Sequence, residues 1–285
     1  MQGRFVWMLV VWTGLTVFGQ PAAEGSTQTD SKRVGFELYR NYLIVVHGTA
    51  GTTKGLNFLL DTGANPSILD ARIAAKQHLN LTPTDVAVLN GSVRGGTTTV
   101  SSLEFGPIRR SLFPVTVQDL SFLEKALSVR IDGIIGVDML GSSSFVIDYP
   151  SRTIRFGPTE SMQGSIPLQM KQGRAIVDAT VNHSTMHLLL DTGAFSLTLF
   201  VEGTQPWPAS APPSGKAIVP SDGKQVQLSS FALGDAEFGR EVALLVGNPR
   251  DAGHDFDGLM SPVALGMTRI AVDLGGGRLA FSRKP

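Results

Sequence analysis

Residues 58–64 read Phe58-Leu59-Leu60-Asp61-Thr62-Gly63-Ala64, and residues 188–194 repeat the pattern as Leu188-Leu189-Leu190-Asp191-Thr192-Gly193-Ala194. Each copy is an apolar run ending on a carboxylate. A buried strand carries an ionised acid at its end only if hydrogen bonds or a chemical use offset the cost. The glycine two residues on permits a tight turn, so backbone amides can approach the carboxylate. The threonine supplies a hydroxyl for a fixed hydrogen bond. One such string makes an ordinary turn as readily as a site. Two in one chain ask for a common explanation.

More of the chain repeats with them. Ser67-Ile68-Leu69 follows the first copy and Ser196-Leu197-Thr198-Leu199 the second. About 70 residues beyond each aspartate stands a second shared block. It reads Ile131-Asp132-Gly133-Ile134-Ile135-Gly136-Val137-Asp138-Met139-Leu140 in the first half and Phe256-Asp257-Gly258-Leu259-Met260-Ser261-Pro262-Val263-Ala264-Leu265 in the second. Each half then closes on a hairpin pattern, turning at Pro150-Ser151 or at Gly275-Gly276-Gly277. The separation is 130 residues from Asp61 to Asp191, and 125 both from Asp132 to Asp257 and from Asp148 to Asp273. Three anchors in one order imply a duplicated domain, with the joint in the turn-rich residues 158–167.

The sequence thus predicts an all-β fold of two duplicated lobes related by a pseudo-twofold axis, residues 33–158 and 166–285. Candidate strands are 43–46, 56–60, 97–100, 112–117 and the closing hairpins. One helix is expected over 71–79, capped by Asp70. Its counterpart falls where Pro206, Pro208, Pro212 and Pro213 would break it.

Composition narrows the chemistry. Charged residues are 17% of the chain, against roughly 25% in an average protein, and Lys plus Arg balance Asp plus Glu at 24 each. That leaves no net field to hold nucleic acid or an anionic membrane. The absence of cysteine excludes disulfides, thiolate metal sites and cysteine nucleophiles. Residues 1–26 read as a secretory signal and the start of the mature chain: Arg4, an uncharged run over 5–18, then small residues. That run is shorter than the ~20 residues of a bilayer span. The expectation is an exported, periplasmic or secreted, monomer, tethered only if the signal stays uncleaved.

Across a pseudo-twofold axis the two carboxylates can meet. Two close carboxylates cannot both ionise cheaply, so the pair shares one proton. One acid then activates water as a base while the other polarises a carbonyl. This chemistry needs no metal and no cofactor, and none is expected. The histidines show no zinc spacing, and neither Gly48–Gly55 nor Gly275-Gly276-Gly277 has the ending or context of a phosphate loop.

With Ile68-Leu69 after it, Leu59-Leu60-Asp61-Thr62-Gly63-Ala64 resembles the active-site strand of retroviral proteases, and Ile134-Ile135-Gly136 with Met139-Leu140 resembles their second signature. The likeness spans most of residues 35–157 and, more loosely, 166–283. It implies a retropepsin-like aspartic endopeptidase acting on a peptide or protein substrate, with both lobes in one chain as in pepsin. By that resemblance Asp61 and Asp191 are the catalytic dyad. Thr62 and Thr192 would bond across the lobe interface, and Gly63 and Gly193 would line the substrate backbone. The flap candidates are the turns around Gly95-Gly96 and Asp222-Gly223. The second half departs from the pattern at Ser261-Pro262, where the family expects glycine, which implies a shifted crossing or a tolerated side chain. The alternative is a non-catalytic peptide-binding or inhibitor-like protein on the same fold. Because Ala64 and Ala194 offer no hydroxyl to an ionised carboxylate, a peptidase of this kind should work best at about pH 4.5–6.5.

Overall fold

The computed structural model describes residues 11–12, 33–88, 91–201, 223–247 and 256–284. Among these the protein is mostly β, as the patterning predicts, arranged in three sheets. One belongs chiefly to the first half, one to the second, and a six-stranded sheet takes strands from both.

The same crossing is built twice. In the first half strand Gly133–Ile135 inserts between strands Thr53–Leu60 and Ile68–Asp70. It runs parallel to the former, with Ile134 opposite Leu59, and antiparallel to the latter, with Ile134 opposite Ile68. In the second half strand Gly258–Met260 lies parallel to Ser184–Leu190, Leu259 opposite Leu189, and antiparallel to Leu197–Val201, Leu259 opposite Thr198. Each inserted strand therefore fills the gap that the aspartate loop opens. Its residues are buried on both faces, which explains the unbroken apolar runs.

The repeated Asp132 and Asp257 hold these crossings. Asn57 N donates to Asp132 Oδ2 at 3.0 Å, and His187 N donates to Asp257 Oδ2 at 2.8 Å. The return bonds, Asp132 N to Asn57 O and Asp257 N to His187 O, are both 2.7 Å. The second aspartate of each repeat is thus a backbone clamp.

The closing hairpins do more than close their own halves. Strand Ser144–Asp148 pairs antiparallel with Met267–Asp273, placing Ile147 opposite Ile270. Strand Arg33–Gly35 joins this sheet beside Thr153–Phe156, and Gly164–Pro167 joins it beside Arg278–Arg283. The two halves thus share one sheet and a continuous apolar core.

The expected helix over 71–79 is present but shorter, Ala71–Lys76, with the Asp70 side chain accepting from Arg72 N. It ends early because His78 takes a left-handed conformation, φ 52°. The proline-rich counterpart in the second half lies outside the described residues. So does most of the proposed signal segment, except that Val11–Trp12 pairs with the edge of strand Thr82–Val88. No helix among the described residues is long and apolar enough to cross a membrane.

Candidate active site

Both aspartates leave their strands at the same geometric point. Asp61 N donates to Ile135 O and Asp191 N donates to Met260 O, each at 3.0 Å. Both side chains turn to the seam between the halves, where Asp61 is 2% exposed and Asp191 0%. Gly63 N donates to Asp61 Oδ1 at 2.8 Å. Gly193 N and Ala194 N both donate to Asp191 Oδ1 at 2.8 Å.

The threonines lock the seam reciprocally. Thr62 Oγ1 donates to Leu190 O at 2.7 Å and accepts from Thr192 N at 3.1 Å. Thr192 Oγ1 donates to Leu60 O at 3.0 Å and accepts from Thr62 N at 3.0 Å. Six polar groups, two hydroxyls, two amides and two carbonyls, are joined by four hydrogen bonds in one twofold arrangement.

Each glycine is needed for a reason that the resemblance alone does not supply. A Cβ on Gly63 would lie 2.7 Å from Asp191 Cγ, and one on Gly193 would lie 2.6 Å from Asp61 Oδ2. The space is taken by the other half's carboxylate. Bare glycine is what lets the two acids approach.

Each carboxyl group abuts the glycine of the other half's loop, so the two acids share one buried space and act on each other electrostatically. Asp191 Oδ2 is buried and receives no N–H or O–H donor among the described residues. A proton held between the acids would satisfy it. Burial, opposed by the amides of the loop, raises the Asp61 carboxyl to about 6. Burial first, and then the charge of Asp61, raises Asp191 well above the ordinary carboxylate value.

Beneath the loops the halves differ. In the first, Val137 N donates to Ala64 O at 3.1 Å, and a Cβ on Gly136 would lie 2.4 Å from that same oxygen. In the second, Pro262 replaces Val137 and has no N–H to give. Ser261 Oγ donates to Ala194 O instead, at 2.7 Å. The two departures at Ser261-Pro262 are therefore one compensated exchange, and the crossing keeps its register. A similar trade occurs alongside. Asp138 accepts from Ser67 Oγ at 2.6 Å and from Ser67 N at 2.8 Å, whereas Val263 and Leu197 hold the matching places. Burial raises the Asp138 carboxyl too, with the Ser67 bonds opposing.

This exchange gives a direct test. Ser261→Gly should leave Ala194 O buried without a donor and cost about 1–3 kcal/mol. Adding Pro262→Val should restore most of it, because the first half's N–H returns. Denaturant unfolding at fixed pH reads both, and a double variant no more stable than the single one would refute the exchange.

The flap candidates fare less well. Gly95 and Gly96 do not form a turn; they sit inside strand Gly91–Phe105, paired with Thr84 and Pro83 of strand Thr82–Val88. The last pair, Val88 with Gly91, puts the connection at residues 89–90, which are outside the described set. Side chains of this hairpin, Val86 and Val93, pack in one apolar cluster with Ala64 of the aspartate loop. Asp222 lies outside the described residues, and Gly223 immediately precedes strand Lys224–Gln227.

Residues 45–139 match a family model described as Aspartyl protease. This segment is similar to the aspartyl protease family. Within it lie Asp61, Thr62 and Gly63, the hairpin, and the inserted strand with Gly136, so the aspartyl protease match covers one complete crossing and the family is retropepsin-like in the broad sense. Asp191 lies beyond the matched segment, and its correspondence to Asp61 rests on the paired geometry above. No curated protein matches the chain. Sequence reasoning missed three residues at the seam, Tyr42, Asn65 and Phe195, which carry no motif.

Proposed function

We propose that the protein is an aspartic endopeptidase, exported and acting as a monomer on peptide or protein substrates, with Asp61 and Asp191 as its dyad. What supports this reading is the pair of buried carboxyl groups meeting across two glycines, with one oxygen that no donor among the described residues reaches. A binding protein has no use for two acids held at this energetic cost.

Burial and then the charge of Asp61 weigh on Asp191, so Asp61 is assigned as the ionised member and Asp191 as the holder of the proton. Asp61 takes a proton from water as its oxygen attacks the peptide carbonyl carbon. Asp191 gives its proton to the carbonyl oxygen, forming a neutral gem-diol. Collapse of that diol returns a proton to Asp191, while the proton on Asp61 passes to the leaving nitrogen as the C–N bond breaks. The dyad regains its single proton. Because both acids are sealed from solvent in this structure, a substrate must part the side chains above them.

The test is kcat/KM against pH on a mixed peptide substrate, which reports groups of the free enzyme. The working form carries one proton, so activity rises as the first proton leaves, near the Asp61 value of about 6, and falls as Asp191 ionises at higher pH. An optimum above pH 6 is expected, between the two ionisations and toward or beyond the upper edge of the range the alanines suggest. An optimum below about pH 3 would remove the burial argument. Absence of any cleavage across the range, with peptides still bound, would favour the binding-protein alternative.

A further inference from the structure

Away from the dyad the seam is not symmetric. Asn65 and Phe195 correspond, each four residues after its aspartate. The turns that face them correspond too. Val45 pairs with Leu59 as Ile176 pairs with Leu189, which sets Tyr42 in register with Gly173. Each turn reaches across to the aspartate loop of the other half.

The two contacts have opposite chemistry. On one side Asn65 Nδ2 donates to Gly173 O at 2.8 Å. On the other the rings of Tyr42 and Phe195 meet, centroids 6.2 Å apart and planes at 54°. Both rings are partly buried. Tyr42 leans on the cluster of Leu43, Val45 and Leu59, and Phe195 on that of Ile176 and Leu189. The ring pair thus joins the apolar clusters of the two halves. It also lies close to the dyad: the Tyr42 phenol is raised chiefly by burial, with the Asp191 carboxylate adding to the rise against Arg40.

We propose that Tyr42 and Phe195 form a specificity-determining aromatic wall on one side of the dyad, with Asn65 and Gly173 as its polar image. The favoured substrate carries a large apolar residue on one side of the scissile bond and a polar residue at the matched place on the other. An extended peptide lying across a twofold axis meets image positions at equal distances from its centre, so identical lobes would read both sides alike. Here the ring faces reward burial of an apolar side chain. The Asn65 amide opposite them disfavours one, because an apolar neighbour would strip water from the donor and acceptor capacity that its bond to Gly173 O leaves over. The peptide accordingly binds in one direction. This inference rests on the peptidase reading.

The experiment measures cleavage of an oriented peptide library by the full chain, its Phe195→Asn and Phe195→Leu variants, and Asn65→Phe. The wild type should prefer aromatic or large aliphatic residues at one subsite on one side only. Phe195→Asn, which copies the polar side, should lower kcat/KM for those peptides at least about tenfold and spare peptides polar at that place; Phe195→Leu should keep the preference. Asn65→Phe should create a second apolar preference on the opposite side. Matching preferences on both sides of the wild type, or an unchanged profile in Phe195→Asn of native melting temperature, would overturn the proposal. If the wild type cleaves nothing, the peptidase reading fails separately, and fluorescence anisotropy of the same peptides decides. Weaker binding of aromatic peptides by Phe195→Asn supports the wall; equal binding, or none by the wild type, overturns it.

Discussion

Asp61→Asn and Asp191→Asn should each lower kcat by roughly 10³-fold or more, the scale of a lost general acid or base. The double variant should be no worse than either single one, because residues that act as a unit lose their effect together. Asparagine keeps the carbonyl oxygen that accepts from Gly63 N or Gly193 N, so the loops stay closed. Neither variant can hold or move the shared proton. Turnover on a peptide mixture checks all three proteins. A single variant with near wild-type turnover would mean that the two acids do not work as a pair.

The same substitutions should stabilise the fold at neutral pH. Burial raises Asp61 from 3.8 to about 6, so between these values the folded chain binds a proton that the unfolded chain has released. Stability is then greatest below pH 3.8 and is lost as pH rises through about 6, with a further loss where Asp191 ionises. For Asp61 the loss is on the order of 3 kcal/mol at pH 7. Asp61→Asn never meets it, and should melt roughly 5–10 °C higher than the wild type at pH 7. At pH 3 the gain should vanish. Calorimetry at both values checks the sign, and a gain larger at pH 3 than at pH 7 would contradict a buried acid pair.

These two results bear on the part of the protein most legible in its sequence. The Asp-Thr-Gly-Ala strings and the second block mark both crossings because the crossing makes local demands: an apolar strand, a bare glycine and a hydroxyl. Gly95-Gly96 was misleading for a physical reason. A Cβ on Gly95 would lie 2.7 Å from Val117 O, and one on Gly96 would lie 3.2 Å from Leu81 Cβ. Those glycines let strands pack closely; they do not reverse the chain. Ser261 and Pro262 were visible as two departures, but that one supplies the donor the other lacks appears only when Ala194 O is placed. The pairing of Ser144–Asp148 with Met267–Asp273 left one signal, since Phe145, Val146 and Ile147 are consecutively apolar where a strand open on one face would alternate. Tyr42 and Phe195 are 153 residues apart in the chain, and nothing near either names the other.

That shared sheet constrains how the chain can be made. When residues 144–148 leave the ribosome, their outer edge has no neighbour. It gains one only when residues 267–273 follow, roughly 120 residues later, on the order of ten seconds at ordinary rates of synthesis. Through that interval the nascent first half shows a row of unpaired amides and carbonyls on an apolar strand, the kind of edge that recruits other chains. A truncated product ending near residue 160 keeps the edge permanently, and the strand it best fits is its own copy. Premature termination is therefore predicted to yield association or aggregation rather than a tidy half-molecule, and the intact protein's solubility depends on its last strands arriving in time.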